Sequence, residues 1–195
     1  MKMFFLVDID RCWGCRSCLT ACKREHGYAP DAPDAIDVAR VEQVDEQGRV
    51  QCDFLPLPCL HCDDPACEAA CPVHAIEKLP DGRVELSRER CIGCGRCERA
   101  CAYGAIALER IPGERPRALK CDLCAERRSR GLPPACVQHC MGRALYLVDE
   151  KEAARRTAGR YAFARGQTVY VSDRLRDLGR ALDGGEPEEA RRTND

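Results

Sequence analysis

The chain has 195 residues and a nearly even balance of 31 basic and 32 acidic side chains, for a formal net charge of -1. That balance excludes a polycationic nucleic-acid binder, and no run of some twenty apolar residues is present to span a membrane. Aromatic residues make up only 5% of the chain, which allows one domain or two small ones around a small apolar core, yet 17 residues are cysteine.

In chain order, the N-terminal stretch MKMFFLVDIDRC has no signal-peptide architecture. Its apolar run, Met3 to Val7, is too short, and no twin-arginine pair precedes it, so a secreted disulfide framework is not expected. Phe4 to Asp8 reads as a short buried strand. It feeds RCWGCRSCLTAC, with Cys12, Cys15, Cys18 and Cys22, the last opening a helical turn through Lys23 and Arg24. From His26 to Pro58 the chain is rich in Pro, Asp and Ala, and the alternation of Val38 to Val44 and of Val50 to Leu57 around Gly48 predicts a hairpin.

A second quartet follows at Cys59, Cys62, Cys67 and Cys71, then a turn centred on Asp81-Gly82 that joins two short strands. The third quartet, CIGCGRCERAC, holds Cys91, Cys94, Cys97 and Cys101. The fourth, Cys121, Cys124, Cys136 and Cys140, carries the insertion AERRSRGLPPA between its second and third members. An internal repeat follows three of the quartets as CPVHAI, CAYGAI and, more weakly, CMGRAL. Each copy sets a small residue before a branched apolar one, the expected start of a strand. Beyond the last quartet, Ala144 to Val148 predicts a strand, Glu150 to Phe163 an amphipathic helix broken near Gly159, and Thr168 to Val171 another strand. The charged stretch from about Asp183 to Asp195 is expected to be a mobile tail.

Three cysteines at successive C-x2-C spacing curl one loop around an iron-sulfur cube, and a fourth, on the helix that follows, reaches a neighbouring cube. Four quartets therefore predict four 4Fe-4S clusters. The spacing assigns Cys12, Cys15, Cys18 and Cys140 to cluster one and Cys121, Cys124, Cys136 and Cys22 to cluster two. Cluster three takes Cys59, Cys62, Cys67 and Cys101, and cluster four takes Cys91, Cys94, Cys97 and Cys71. Zinc is the competing ligand set, but three successive C-x2-C cysteines leave one ligand surplus to a tetrahedral site. A Rieske-like use of His61 and His139 is not needed once all sixteen cysteines are placed. Because clusters would carry folding free energy, the apo-protein is expected to be unfolded.

Cys52, outside every quartet, reads as a small buried hydrophobe. Trp13 is expected to shield the first cluster from water. Lys120, Arg16 and Arg96 sit beside ligand cysteines, where a cation would raise a cluster's potential if it were not simply solvated. The arginines at 127, 128 and 130 and at 155, 156, 160 and 165 read as a solvated surface or, alternatively, a docking face for an acidic partner. No dinucleotide fingerprint, P-loop or nucleophile elbow is present, so no catalytic site is expected.

The fold class this predicts is α+β, two bacterial-ferredoxin-like modules with one inserted into the other. Residues 1–25 and 108–148 form the outer module and residues 59–107 the inner one. Residues 26–58 are a linker and hairpin, 149–182 a C-terminal extension, and 183–195 the tail.

The quartets, their order, and the runs CLHCDDPACEAACPVHAI, CIGCGRCERACAYGAI and KCDLCAERRSRGLPPACVQHC resemble the iron-sulfur subunits of molybdopterin oxidoreductases, the DMSO reductase family, over about Met1 to Val148. The resemblance implies an electron-transfer subunit without a catalytic site of its own. Its partners would be a large molybdenum or tungsten molybdopterin subunit and an integral-membrane quinone-reactive subunit. It also implies an order with cluster one toward the catalytic subunit, then two, three and four toward the quinone side. Because Cys94 is kept, a 3Fe-4S centre is not expected in the third quartet. The chain departs from the family pattern in lacking proline after Cys22, Cys101 and Cys140, and CMGRAL is similar to the thiosulfate, tetrathionate and related oxyanion branches. Membrane association would come through a partner, with the protein either cytoplasmic or co-exported with a signal-bearing subunit. A free-standing polyferredoxin and a zinc-stabilised interaction module are the alternatives.

Overall fold

The computed structural model describes residues 2–44 and 47–174, so the expected tail at 183–195 lies outside the described residues. Strand β1, Phe4–Asp8, is the centre of the structure. Its side chains alternate between two faces, as any strand's must. Phe5 and Val7 enter the main core with Leu19, Leu55, Leu119, Leu123 and Tyr170, whereas Leu6 packs against Val148, Ala153 and Val171 on the other side.

A short 3-10 turn, Ile9–Arg11, leads into helix α1, Ser17–His26. α1 ends on Gly27 in the left-handed region, with its N-H returned to the Lys23 carbonyl, and gathers Lys23, Arg24 and His26 in its last turn, where the helix dipole favours cations. β2, Ile36–Val44, and β3, Val50–Pro58, form the expected hairpin, in register from Ile36 opposite Pro58 to Val44 opposite Val50. Helix α2, Ala66–Ala69, precedes the hairpin of β4, Ile76–Lys78, and β5, Val84–Leu86. Helix α3, Arg96–Ala100, precedes the hairpin of β6, Ile106–Glu109, and β7, Arg117–Lys120. The strands predicted after each repeat begin where the branched residue falls, at Ile76, at Ile106 and, after helices α4, Ala125–Ser129, and α5, Ala135–Gln138, at Leu145 of β8, Leu145–Val148.

Residues 149–174 add a helix and two strands to the structure. Helix α6 spans Glu150–Thr157, capped by the Asp149 carboxylate, which accepts the Glu152 N-H at 2.8 Å. The expected continuation to Phe163 is corrected by the structure. Gly159 takes φ +73°, and Tyr161–Arg165 becomes a strand, β9, paired antiparallel with β10, Thr168–Ser172. The period of two in Tyr161 and Phe163, followed by a tight turn at Gly166, outweighs the helical pattern. β10 lies parallel to β1, so the sheet runs β8-β1-β10-β9.

Several arginines hold intramolecular ion pairs. Arg160 donates to both oxygens of Asp8, at 2.8 and 3.1 Å, to Asp10 at 3.0 Å and to Asp173 at 2.8 Å. Arg174 joins Asp10 at 3.1 Å to the buried Asp53 of β3 at 2.7 Å. Arg155 and Arg156 grip Glu152, and Arg127 pairs with Glu25 at 2.6 Å. Arg160 and Arg127 are thus largely buried clasps, whereas Arg155 and Arg130 stay exposed as expected of a solvated surface. Removing one member of a largely buried ion cluster costs roughly 3 kcal/mol. Arg160→Ala is therefore expected to lower the unfolding temperature of the anaerobically purified protein by about 5–10 °C, and Arg155→Ala, on an exposed pair, by less than about 2 °C. Scanning calorimetry checks this, and equal shifts would remove the clasp from the account.

Candidate metal centres

None of the seventeen cysteines is paired in a disulfide. Four times, a short helix separates the third and fourth cysteines of a quartet by four residues: Cys18 and Cys22 on α1, with the other pairs at α2, α3 and α5. On α1 that step puts Cys18 and Cys22 one turn apart on one stripe; in the other three quartets the fourth cysteine lies just past the helix end, so each short segment still reaches two neighbouring sites.

Three hollows among the described residues are lined by these cysteines. One is lined by Cys71, Cys91, Cys94 and Cys97, a second by Cys22, Cys121, Cys124 and Cys136, and a third by Cys12, Cys15, Cys18 and Cys140. The remaining thiols, Cys59, Cys62, Cys67 and Cys101, also approach one another: burial first, then Cys59 and Cys101, push the Cys62 thiol up, and Cys67 is raised to about 11 by burial and by Cys59, with Cys101 and Cys62 adding. Each group thus brings three cysteines of one run to one of another.

The sulfurs are hydrogen-bonded acceptors. The N-H groups of Ala75, Ala105 and Ala144 donate to Cys71, Cys101 and Cys140 at 3.2, 3.3 and 3.1 Å. These alanines are the small residue of the sequence repeat, so the repeat encodes an N-H to sulfur bond as well as a strand start. Ala118, His61 and Leu123 donate in the same way to Cys91, Cys59 and Cys121, at 3.4 to 3.5 Å. Such donors suit a thiolate that carries metal-ligand charge. Without metal, the crowding favours protonated thiols: burial, then Cys12, pushes Cys18 up to about 12, and burial, then Cys124, does the same to Cys22. Metal binding must displace those protons. The donor set, all sulfur and four to a site, fits an iron-sulfur cube.

Several side chains near the thiols differ from expectation. Trp13 lines the Cys12 hollow but is 66% exposed, so it covers only one side of it. Cys52 is half-buried and accepts from Arg40 Nε at 3.2 Å instead of being sealed in a core, because β3 belongs to a two-stranded ribbon. Arg16 and Arg96 are exposed, whereas Lys120 is buried. His61 Nδ1 accepts the Val84 N-H at 2.9 Å and His139 Nδ1 lies 3.1 Å from the Ala135 carbonyl, so each ring spends a nitrogen on the backbone. His26 was not singled out by the sequence. Its Nε2 lies 3.6 Å from Cys124 Sγ and 3.5 Å from Asp122, and its ring stacks on Tyr28. Its position at the end of α1, one turn past Cys22, was the only signal.

Residues 50–150 match the 4Fe-4S dicluster domain, a stretch that carries twelve of the sixteen quartet cysteines. A component of the anaerobic dimethyl sulfoxide reductase of Escherichia coli is 36% identical over 147 residues, 72% of this chain and 70% of that protein. This protein belongs to the 4Fe-4S dicluster family of iron-sulfur subunits. Its cofactors are 4Fe-4S clusters. A component of the tetrathionate reductase of Salmonella typhimurium is 37% identical over 155 residues, 78% of this chain and 60% of that protein. The iron-sulfur subunit of the nitrate-inducible formate dehydrogenase of Escherichia coli is 33% identical over 162 residues, 75% of this chain and 54% of that protein. The chain spans about three fifths of the length of the tetrathionate reductase components it matches.

Within the Cys91 loop, Gly93 takes φ +71°, and a Cβ there would lie 2.2 Å from the Pro116 carbonyl oxygen. Gly93→Ala must therefore displace the loop. It is expected to lower iron and acid-labile sulfide by about a quarter, one cube's worth. Gly104→Ala, whose Cβ would meet nothing within 4 Å, is expected to leave both unchanged at a strain cost of about 1 kcal/mol. Equal iron in the two variants would count against the loop's role.

Proposed function

We propose that this chain is the electron-transfer subunit of a molybdopterin oxidoreductase, passing single electrons through four 4Fe-4S clusters and catalysing no reaction of its own. The clusters are held by Cys12, Cys15, Cys18 and Cys140; by Cys121, Cys124, Cys136 and Cys22; by Cys59, Cys62, Cys67 and Cys101; and by Cys91, Cys94, Cys97 and Cys71. The observation that carries this reading is that each hollow is lined by three cysteines of one run and a single cysteine of another. When bound, the cubes supply reversible one-electron chemistry. The chain's own part is to hold them, to exclude water and to donate backbone N-H groups to their ligand sulfurs.

The ligand sets make a nested arrangement: residues 1–25 and 108–148 the outer ferredoxin-like module, 59–107 the inner one, 26–58 the linking hairpin and 149–182 an extension. The inner boundary falls within β6, which pairs with β7 of the outer module. Proximity of the thiols supports an order for the wire. Cys18 of the first set adds to the upward push on Cys22 and Cys136 of the second, and Cys59 of the third to that on Cys121 of the second. The two exposed cysteines, Cys15 and Cys94, belong to the first and last sets, and exposed apolar residues sit beside each in sequence, Trp13 and Ile92. Such edges suit electron entry and exit at subunit contacts. The partners are a large molybdopterin subunit holding molybdenum or tungsten and a quinone-reactive membrane subunit. No helix among the described residues is long and apolar enough to cross a membrane, which fits membrane association through the latter.

Anaerobic purification from the native host tests the reading. Expected are about sixteen irons and sixteen labile sulfides per chain, interacting cubane EPR signals during reductive titration, and a co-purifying molybdopterin protein. A protein that carries the clusters yet stays monomeric and partnerless would be a free polyferredoxin, and zinc without sulfide would overturn the reading. The crossed partition has its own check. Cys71→Ala and Cys94→Ala are expected to abolish the same EPR signal, although these residues belong to different runs.

A further inference from the structure

His26 closes the last turn of α1, and its imidazole lines the same hollow as Cys22, Cys121, Cys124 and Cys136. One face of the ring is held by Tyr28, with centroids 5.4 Å apart and planes 18° from parallel. Tyr28 is held in turn by the Arg88 guanidinium, 5.2 Å from its ring centroid. The imidazole Nε2 then faces the Cys121 loop, 3.6 Å from Cys124 Sγ and 3.5 Å from Asp122 Oδ1. The loop is shaped to meet it. Leu123 and Cys124 take φ of +57° and +49°, a left-handed backbone that non-glycine residues adopt only where the surroundings enforce it. Asp122 does so, its carboxylate accepting the Cys124 N-H at 2.7 Å and the Ala125 N-H at 3.3 Å.

Nε2 thus meets two groups that can only accept. A carboxylate has no proton to give, and a cysteine sulfur bound to iron has lost its own. The ring nitrogen that faces them must carry a proton and share it between them. Asp122 already receives two backbone N-H groups, so the sulfur takes its part of the imidazole N-H. The donors to Cys71, Cys101 and Cys140 are backbone groups that no side-chain exchange removes, whereas this one is a side chain. A hydrogen bond to a ligand sulfur draws charge off the cluster and favours the reduced form, which carries one more negative charge.

We propose that His26 is a positioning residue of the cluster held by Cys22, Cys121, Cys124 and Cys136, donating its Nε2-H to the Cys124 sulfur and so raising that cluster's potential. It is not an iron ligand, because Cys124 fills that place and His26 acts through it. In the step it biases, one electron leaves a neighbouring cluster, which is oxidised by one, and enters this one, which is reduced by one; no bond or proton moves. The proposal rests on the ligand sets given above.

The test is EPR-monitored potentiometry of the intact, anaerobically purified protein, following the signal that Cys22→Ala and Cys136→Ala both remove. His26→Phe keeps a ring to stack on Tyr28 and loses the N-H. In it the reduced-to-oxidised ratio of that cluster at a fixed ambient potential is expected to fall about threefold, equivalent to about 28 mV where a tenfold change is about 59 mV for a one-electron couple. His26→Gln, whose amide N-H can stand in for Nε2-H, is expected to stay within about 1.5-fold of the parent, about 10 mV on the same scale. An unchanged ratio in His26→Phe overturns the proposal, and so does an equal fall in the two variants. If His26→Phe loses iron, pulsed EPR of the parent and of His26→Gln, both grown on histidine labelled with the heavy nitrogen isotope, decides. An imidazole nitrogen coupling on this signal that His26→Gln lacks supports the proposal, and identical spectra overturn it. Removal of different signals by Cys22→Ala and Cys136→Ala would instead be the failure of the ligand sets.

Discussion

The structure depends on the gathering of thiols that resist being gathered. Burial and mutual repulsion push Cys18 and Cys22 to about 12 and Cys67 and Cys124 to about 11, so each group is stable as thiolates only around a cation-rich centre. Cysteines such as Cys18, Cys22, Cys97 and Cys136 also count among the buried residues of the core clusters, so the metal sites and the apolar core are one object. This explains how a chain so poor in aromatic residues folds: metal-ligand bonds do what large side chains do elsewhere.

Around that constraint the local geometry is economical. A helix of four or five residues is too short to be stable alone. It is enough to hold the third cysteine of a quartet and to deliver the chain to the fourth just past its end. The strand that follows starts from an alanine whose N-H is already committed to the sulfur of the preceding cysteine. The branched residue next to it, Ile76, Ile106 or Leu145, then enters the core.

Electrostatics outside the thiol groups divides into two kinds. Arg160 and Arg174 clasp the end of β1, the β10 end and β3 through Asp8, Asp10, Asp173 and Asp53, pairing every cation with a carboxylate. Arg88 and the buried Glu109 make a similar pair beside Tyr28. Lys120 and Lys78 donate to backbone carbonyls next to the thiol groups, Lys78 also pairing with Asp63.

The sequence by itself determined the chemistry of the sites and much of the local structure. Successive C-x2-C cysteines require a loop around a cube, the step of four to the next cysteine requires a helical turn, and the Ala-Ile and Ala-Leu pairs mark where strands begin; all are short-range consequences of chain geometry. The hairpins at Gly48 and Gly82 were legible for the same reason. The strand Tyr161–Arg165 was not, since its alternation competes with the helical pattern of Glu150 to Thr157 and is settled by pairing with β10. Only the tertiary structure decided that β10 lies parallel to β1, that Trp13 faces outward and that Cys52 stays half-buried. It alone distinguished Lys120 from Arg16 and Arg96. All three stand beside ligand cysteines in the sequence, but burial, which gives a charge its reach, depends on residues far along the chain, here Val84 across the seam between β5 and β7.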